Sequence, residues 1–374
     1  MDIFIVIQKK LSYRNNYLSC KEETKQLLII LLTFIITIIF SPSSLKSQST
    51  LGGYSEMYLM RDYGTRPIAL AGSYTAISDD PLAVLYNPAG LTFYKTEPTI
   101  TAYVGTLGLG RTSSFLGYGQ QINDEFGVGF GLNGIYTGSF MGRDVKGNPL
   151  GEMANFQYTF TAAGSYRTEF ASVGAGVKYL TNNLVGSYTE ATGFALDFGT
   201  KFNVMDLFSF AIAVKNAYGQ IFWNTKDYNS EILPFEVHSG IAMEFALESE
   251  SYQTRSTVTG EIEDVNVAAT KYILIDLDAA FIEHSKSPSI TLGIEAIPDE
   301  LIAFRLGAEI YGEKFGTPQL FALNKWGAGV SLRPQLDELF PGVPFTSQID
   351  YSVSNEFLSS SGIAHHIAIT FFFE

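Results

Sequence analysis

The stretch that decides the fold is ASVGAGVKY, residues 171–179. Its odd-numbered positions carry apolar or aromatic side chains, and its even-numbered positions carry serine, glycine and Lys178. A period of two is typical of a β-strand, because successive side chains point to opposite faces of the strand. The two faces of this strand therefore meet different surroundings, one apolar and the other small and polar.

Segments with this alternation follow one another along the rest of the chain. Ile302–Ile310 repeats the pattern, with Arg305 and Glu309 on the small or charged face. Fourteen strands are predicted, at 98–107, 113–121, 126–137, 157–166, 171–180, 190–202, 208–218, 234–246, 271–283, 289–297, 301–311, 325–332, 346–354 and 364–373. Most connections alternate between short and long, as they do in bacterial outer-membrane barrels with short periplasmic turns.

Two connections depart from that alternation. Residues 247–270 and 333–345 are long where a short turn is expected, and the first of them is polar and acidic. We interpret 247–270 as a periplasmic arm or an extra hairpin. The chain closes with Ile367–Phe373, an amphipathic strand ending in aromatic residues, followed by Glu374. An even number of strands places the start of the first strand and the end of the last strand on the same side of the membrane, the periplasmic side.

The composition lies between those of soluble and helical membrane proteins. Hydrophobic residues make up 46% of the 374 residues and charged residues 17%, below the roughly 25% of a soluble domain. A soluble β-sandwich is the alternative, but its outer face would be richer in Lys, Glu and Thr. The sequence therefore predicts an all-β, antiparallel transmembrane barrel. The net charge of −14 suits soluble loops and argues against nucleic acid as a partner.

The N-terminal region predicts export. The apolar run Leu27–Phe40 has 14 residues and follows Lys21 and Lys25. That length is short for a helical membrane span of about 20 residues and typical of a signal peptide. We expect residues 1–47 to be a cleaved signal peptide, 48–97 an N-terminal plug and 98–374 the barrel. The long basic region before the apolar run also allows for a misassigned start codon.

Chemistry that would indicate an enzyme is not apparent. The single cysteine is Cys20, within the expected signal peptide, and the four histidines have no metal-ligand spacing. Gly127-x-Gly129-x-Gly131 alternates within a predicted strand and therefore differs from a phosphate-binding loop. Asp276 and Asp278 share a strand face, but general acid–base catalysis needs more than paired carboxylates. We predict no enzymatic activity, no cofactor and no metal site.

Residues 51–97 do not alternate and predict the plug. In this segment Asp80 is expected to cap a short helix, Pro81 to occupy its first turn, and Asn87-Pro88 to end it. A helix this short needs a surface to pack on, and the barrel lumen offers one. The motif residues singled out for the plug are Arg66, Asp79, Asp80, Pro81, Asn87, Pro88, Ala89 and Gly90.

These motif residues carry a resemblance to a known family. All of them except Pro81, with Ala69-Leu70, Gly72, Tyr74-Thr75-Ala76, Ala83 and Leu91, resemble the N-terminal signature of the PorV/PorQ group of FadL-like outer-membrane barrels. Ala71 and Ser73 depart from that signature, which usually has Gly and Ala there. Further similarity lies in Val173–Leu180, Ala195–Gly199, Leu233-Pro234, Ile275–Asp278 and Ile349–Tyr351. The resemblance implies a fourteen-stranded barrel with an N-terminal plug.

The same resemblance implies one of two functions. PorV-type proteins are accessory barrels of type IX secretion, so secretion-system subunits or secreted cargo would be the partners. FadL-type proteins take up hydrophobic small molecules, which predicts an apolar pocket beside the plug and a lateral opening, often made by a strand kink. We favour the secretion adaptor and keep the transporter as the alternative. In either case outer-membrane lipid surrounds the barrel.

The small or charged strand faces predict the lining of the lumen. The candidate lumen charges are Lys178, Asp197, Lys201, Lys215, Glu236, Asp276, Asp278, Glu295, Arg305, Glu309 and Asp350, with His238 and Glu244 nearby. Because both signs are present, a structural network of ion pairs is the favoured interpretation. A polar conduit or a substrate site is the alternative.

Overall fold

Fourteen antiparallel strands close into a barrel in the computed structural model. The structure describes residues 55–93, 97–169, 171–187, 189–204, 207–225, 230–247, 251–255, 262–266, 271–283, 285, 287–314, 317–321, 323–334, 344–356 and 362–373. The expected signal peptide, 1–47, lies outside them.

Eighteen strands occur in the described residues, and fourteen of them form the wall. The strands are β1 (Thr99–Thr106), β2 (Arg111–Gln121), β3 (Phe126–Arg143), β4 (Pro149–Arg167), β5 (Ser172–Val185), β6 (Thr189–Val204), β7 (Phe208–Trp223), β8 (Ser230–Ile232), β9 (Glu236–Ala246), β10 (Ser251–Arg255), β11 (Ile262–Asn266), β12 (Tyr272–Ile282), β13 (Ser289–Asp299), β14 (Ile302–Lys314), β15 (Thr317–Leu320), β16 (Trp326–Leu332), β17 (Phe345–Asn355) and β18 (Ile363–Phe373). All except β8, β10, β11 and β15 belong to the closed wall.

Closure comes from the pairing of the last strand with the first. β18 pairs with β1 from Thr99↔Phe372 to Thr106↔His365, and β13 pairs with β14 to complete the circle. The predicted fold class is confirmed. Burial alternates as the sequence pattern requires: in β5, Lys178 and Leu180 are buried whereas Val177 and Tyr179 are exposed. The apolar exposed residues form the lipid-facing surface expected of such a barrel.

Some strands run past their predicted ends. The connection predicted at 138–156 is mostly strand, because β3 and β4 continue as a ladder to Arg143↔Pro149. The predicted connection 219–233 contains the end of β7 together with β8, and 312–324 contains the end of β14 together with β15. Residues 247–270 contain the β10–β11 hairpin, which is the second of the two forms expected for this segment.

The N-terminal segment contains four short helical turns. They are a 3-10 helix at Met57–Met60, α-helices at Thr65–Ala69 and Ala83–Tyr86, and a 3-10 helix at Pro88–Thr92. We call residues 55–93 the plug. Within the part of the chain that the structure describes, no helix has the length and apolar character needed to cross a membrane.

Candidate functional site

The plug occupies the barrel lumen and contributes nearly half of the buried hydrophobic residues. Leu70, Tyr74, Val84 and Leu91 are completely inaccessible to solvent. Pro88–Thr92 contacts β2 to β6, and Thr65–Ala69 contacts β14 and β16 to β18 on another arc of the wall. Helices of four or five residues have little stability of their own, so their conformation depends on this packing.

Glycines in the wall make room for the plug backbone. A Cβ added to Gly307 would lie 2.1 Å from the carbonyl carbon of Leu70, and one added to Gly327 would lie 2.0 Å from the carbonyl oxygen of Ile68. The glycines whose Cβ positions the plug occupies are Gly127, Gly129, Gly131, Gly174, Gly199, Gly240, Gly293, Gly307, Gly327 and Gly329. We call them the wall glycines. Larger side chains at these positions would collide with the plug, so the wall is shaped for this segment.

Arg66 connects the plug to a buried ion network in the wall. Its Nε and one terminal nitrogen each donate to Glu295, both at 2.8 Å. Glu295 also accepts from Arg305, which lies 3.2 Å from Asp350. The other terminal nitrogen of Arg66 donates to Asp79 within the plug. A bidentate guanidinium–carboxylate pair fixes orientation as well as distance, so this network sets the register of the plug.

A second anchor joins the plug turn at residues 73–75 to β12. Asp278 accepts hydrogen bonds from the backbone N–H groups of Tyr74 and Thr75, both at 2.8 Å. Asp276 accepts from the Ser73 hydroxyl at 3.0 Å. The two aspartates therefore hold the plug. Ser73 is also one of the departures from the family signature, and its hydroxyl supplies the donor that alanine would lack.

The other departure, Ala71, has a backbone cost. Its φ of 56° lies in the left-handed region, where an L-residue with a Cβ is disfavoured. Glycine, which the family signature usually has there, adopts this conformation freely. Ala71 is buried and directly precedes Gly72, whose φ is 86°. Alanine at this turn therefore carries strain that the surrounding packing overcomes.

The Asn-Pro-Ala-Gly element, residues 87–90, forms the last turn of the plug along the chain. The Asn87 amide donates to the backbone oxygens of Thr75 and Thr200, and its Oδ1 accepts from the N–H of Ala89. Asn87 thereby caps the 3-10 helix that begins at Pro88. Gly90 is required at its position, because a Cβ there would lie 1.8 Å from the carbonyl oxygen of Ser78. These contacts explain the element in steric and hydrogen-bonding terms.

The expected start of the plug helix is wrong by two residues. The helix begins at Ala83, so Pro81 precedes it and Asp80 is not the N-cap residue. Asp80 still accepts from the N–H of Leu82 at 2.8 Å and from the Tyr74 hydroxyl at 2.5 Å. Burial raises the pKa of Asp80 to about 6, against the opposing effect of the nearby Arg66 charge. Asp80 thus accepts a hydrogen bond within the tight turn that precedes the helix, and the helix begins only after this turn.

The remaining candidate lumen charges also face the interior. Lys178 pairs with Asp197 at 2.6 Å, and Glu236 lies 2.9 Å from His238. Lys201 donates to the carbonyl oxygen of Ile77 in the plug. Glu309 accepts from the Ser289 hydroxyl at 2.6 Å, and the Lys215 ammonium lies 4.9 Å from the ring centroid of Tyr86. These contacts make many of the charges part of the lumen filling.

The wall is interrupted beside the plug. The ladder between β7 and β9 ends at Lys215↔Glu236, and β7 pairs with β8 from Gln220↔Ile232 onwards. β8 and β9 thus behave as one strand that is kinked at Leu233–Phe235. The kink contains Pro234, which has no N–H to donate. In β7 the matching irregularity is Asn216, whose φ of 50° is left-handed.

Asn216 closes this interruption with its side chain. Its Nδ2 donates to the carbonyl oxygen of Pro234 at 3.0 Å, and its backbone N–H donates to Asp197 at 2.9 Å. Lys178 donates to the Asn216 side-chain oxygen at 3.2 Å. Asn216, Lys178 and Asp197 are all buried. The Asn216 side-chain amide therefore bridges the interruption together with one backbone hydrogen bond, from the N–H of Leu233 to the carbonyl oxygen of Gly219 at 3.0 Å.

A small cavity lies next to this cluster, between plug and wall. Its volume is about 10 Å³, which is close to the space of one water molecule. Its lining combines Leu59, Arg61, Tyr63, Leu85, Tyr86, Asn133, Lys178 and Lys215. A cavity beside the plug was expected for a transporter, although this one is half polar rather than apolar. Among the described residues, no cluster of three or more His, Cys, Asp and Glu side chains suits a metal ion.

Several residues of the site were not singled out from the sequence. Glu56 accepts from Asn182 and Gln157, Arg61 pairs with Glu356 at 2.5 Å, and Asp62 pairs with Lys325 at 3.2 Å. The missed residues that matter most are the wall glycines. Their alternation in stretches such as Gly127–Gly131 was a usable signal, because glycine at every second position leaves one strand face without side chains.

Comparison with known proteins bears on the fold. No protein-family model and no curated protein sequence matches this chain. Among solved structures, a Pseudomonas aeruginosa FadL homologue is 11% identical, with 86% of this chain and 99% of that chain covered and a TM-score of 0.49. The P. putida toluene transporter TodX is 12% identical over 83% of this chain and 98% of that chain, also with a TM-score of 0.49.

A TodX monoaromatic hydrocarbon channel variant lacking S2 gives a TM-score of 0.50 at 11% identity, covering 83% of this chain and 98% of that chain. At such identities the likeness extends to the fold alone. The structural neighbours are fourteen-stranded outer-membrane barrels of the FadL family, and their names describe transporters and channels.

Proposed function

We propose that this chain is an outer-membrane channel for hydrophobic small molecules, in which the plug closes the lumen and the β7–β9 interruption is the exit. The observation that carries the proposal is the kinked wall beside the plug. There, the ladder stops at Lys215↔Glu236 and resumes at Gln220↔Ile232. A barrel wall without a functional opening would gain hydrogen bonds from continuous pairing. The fold shared with hydrocarbon channels supports the proposal at the level of architecture only.

The transport proposal requires the wall to open at Asn216. The side chain of Asn216 and the buried pair Lys178–Asp197 close the interruption, and the adjacent cavity of about 10 Å³ is too small for a hydrocarbon. Loss of the Asn216–Pro234 hydrogen bond would let the kinked segment move outward. The cavity and the interruption would then join into one path from the plug to the lipid.

Uptake by whole cells tests this proposal. Cells lacking the protein should take up a labelled monoaromatic hydrocarbon or a long-chain fatty acid several-fold more slowly than cells that produce it, at limiting substrate. Asn216→Ala should raise uptake, whereas Asn183→Ala should not, since Asn183 bonds to Glu190 at an exposed site away from the interruption. Equal uptake with and without the protein, for both classes of substrate, would refute the transport function.

A secretion adaptor of the PorV/PorQ type is the second candidate. The filled lumen favours it, because the plug is held by buried ion pairs such as Arg66–Glu295 and a pure binding protein needs no conduit. This function predicts co-purification with secretion-system subunits or cargo, and loss of secretion on deletion. Intact secretion and an empty pull-down, in the same strains used for uptake, would rule out this candidate.

A further inference from the structure

The two longest strands of the barrel extend beyond their neighbours. β2 last pairs with β3 at Arg111↔Thr137, and β5 last pairs with β4 at Ala154↔Val185. Beyond these points β3 and β4 continue together to Arg143↔Pro149. We call residues 138–153 the β3–β4 extension. It projects from the end of the barrel opposite to the start of β1 and the end of β18, which is the outward-facing end if the barrel follows the usual topology.

Hydrogen bonds within the turn shape the tip of the extension. Asp144 accepts from the backbone N–H groups of Lys146 and Asn148, both at 2.8 Å, and from the Asn148 side chain at 2.9 Å. Arg143 donates to the carbonyl oxygen of Gly147 at 2.8 Å. The Asp144 carboxylate is therefore turned into the turn, where three N–H groups offset its charge.

Two basic side chains remain at this tip. Among the described residues, no carboxylate forms an ion pair with Arg143 or Lys146. The one other acid of the extension, Glu152, lies further down the ladder opposite Met141. A locally positive tip is unusual in a chain with a net charge of −14. This charge suits an anionic group outside the barrel.

Apolar side chains surround the basic tip. Phe140 is 45% exposed, Met141 50% and Leu150 58%, and Val145 is fully exposed. Phe140, Met141 and Leu150 lie on β3 and β4, the strands that carry the exposed lipid-facing residues Phe130, Leu132 and Phe160, and Val145 lies in the turn between them. Exposed apolar side chains thus continue from the membrane-spanning wall into the extension, with Met141 opposite Glu152 on the face that carries Phe160. A two-stranded ribbon with such exposure has little stability in water alone.

We propose that the β3–β4 extension binds a phosphate-bearing lipid of the outer leaflet, of the lipid A type. Arg143 and Lys146 would contact the phosphate, and the apolar side chains would lie along the acyl chains and sugar rings. Continuity with the lipid-facing wall argues for a lipid occupant rather than a soluble protein. The unpaired basic tip argues for an anionic headgroup. This inference does not depend on whether the barrel transports or serves secretion.

Fluorescence of a single label tests where the tip resides. The full chain carrying Val145→Cys, with Cys20→Ser wherever the leader is retained, is labelled with a polarity-sensitive dye and inserted into phospholipid vesicles. Adding bisphosphorylated lipid A to the vesicles should shift the emission to the blue. A label at Asp124→Cys, in the exposed turn at the opposite end, should not respond. An unchanged Val145 label in lipid A would overturn the proposal.

Lipid retention tests the headgroup contact. The purified full chain should retain lipid A, and Arg143→Gln with Lys146→Gln should lower the retained amount at least about fivefold while the barrel stays folded. Arg333→Gln, at the other end of the barrel, should retain as much as the wild type. Equal retention by the double variant, or equal retention of dephosphorylated lipid A, would contradict the proposal. A blue shift of the Val145→Cys label that depends on protein concentration and not on lipid A would also contradict the proposal, because the extension would then bind a second copy of the chain.

Discussion

Adding one methyl group to the wall at Gly307 should unseat the plug. The Cβ of Gly307→Ala would lie 2.1 Å from the carbonyl carbon of Leu70 and 2.5 Å from its Cα, whereas ordinary contact begins near 3.4 Å. The plug backbone would have to retreat by about 1.3 Å, the difference between 3.4 and 2.1 Å. Leu70 cannot retreat freely, because its side chain already packs against Gly293 in the neighbouring strand.

The expected cost follows from the kind of atoms that collide. Overpacking a core typically costs about 1–3 kcal/mol, and a backbone that is held on several sides lies at the upper end. About 3 kcal/mol corresponds to a roughly 100-fold loss in the protection of plug amides against hydrogen exchange. Hydrogen-exchange mass spectrometry on peptides from residues 55–93 measures this loss, with peptides from the wall strands as the internal reference.

Gly164→Ala is the matched control. Gly164 also lies in a wall strand, but the nearest atom to its added Cβ is 3.8 Å away, so the methyl group fits without movement. The plug in this variant should be protected as in the wild type. If the plug amides of Gly307→Ala exchange within about threefold of those in Gly164→Ala, the seating of the plug on the wall glycines is wrong.

Three other perturbations address the plug directly. Arg66→Met should weaken the protection of plug amides by about 2–4 kcal/mol, because the buried Glu295 loses one of its two arginines. Lys325→Gln breaks the half-exposed pair with Asp62 of the plug and should cost under about 1 kcal/mol. Equal losses of protection in the two variants, measured by hydrogen exchange, would contradict the network. Ala71→Gly should stabilise the folded protein by roughly 0.5–1 kcal/mol in urea unfolding, since relief of left-handed strain exceeds the gain in unfolded-state freedom. The pKa of Asp80 is raised by burial from 3.8 to about 6, so its contribution to stability is complete below about pH 4 and is lost as the pH rises through 6. Asp80→Asn should therefore remove part of the fall in unfolding free energy between about pH 4 and pH 6, and an unchanged slope in that range would contradict the raised pKa.

The strand pattern could be predicted because the two faces of the barrel wall have different surroundings, lipid outside and the filled lumen inside. Alternation in β5 places Lys178 inside and Tyr179 outside, and this follows from period two alone. The ends of β3 and β4 could not be predicted in this way. Beyond Thr137 the register shifts by a bulge, so the consecutive residues Phe140 and Met141 are both exposed, apolar residues no longer mark one face, and the pattern that defines a strand in the wall stops.

The sequence could predict which charged residues line the lumen, but not which residues they pair with. Residue parity identified Glu295, Arg305 and Asp350 as lumen charges, and all three are buried. The partner of Glu295 is Arg66, 229 residues away in sequence, and nothing local connects the two. Likewise, Asn tolerates the left-handed region better than most residues, but nothing local predicts that Asn216 adopts it opposite Pro234. Both features depend on strand register around a closed barrel, which is set by the whole wall at once.

The two ways of opening this barrel differ in cost, and the difference bears on the transport proposal. Removal of the whole plug would separate Arg66 from the buried Glu295, and breaking such a pair typically costs about 3–5 kcal/mol before any loss of packing. Opening at the interruption breaks the neutral Asn216–Pro234 hydrogen bond and the Leu233–Gly219 backbone hydrogen bond, each contributing about 0.5–1.5 kcal/mol, while Lys178 and Asp197 stay paired with each other. A channel of this construction would therefore open through its wall while the plug stays in place.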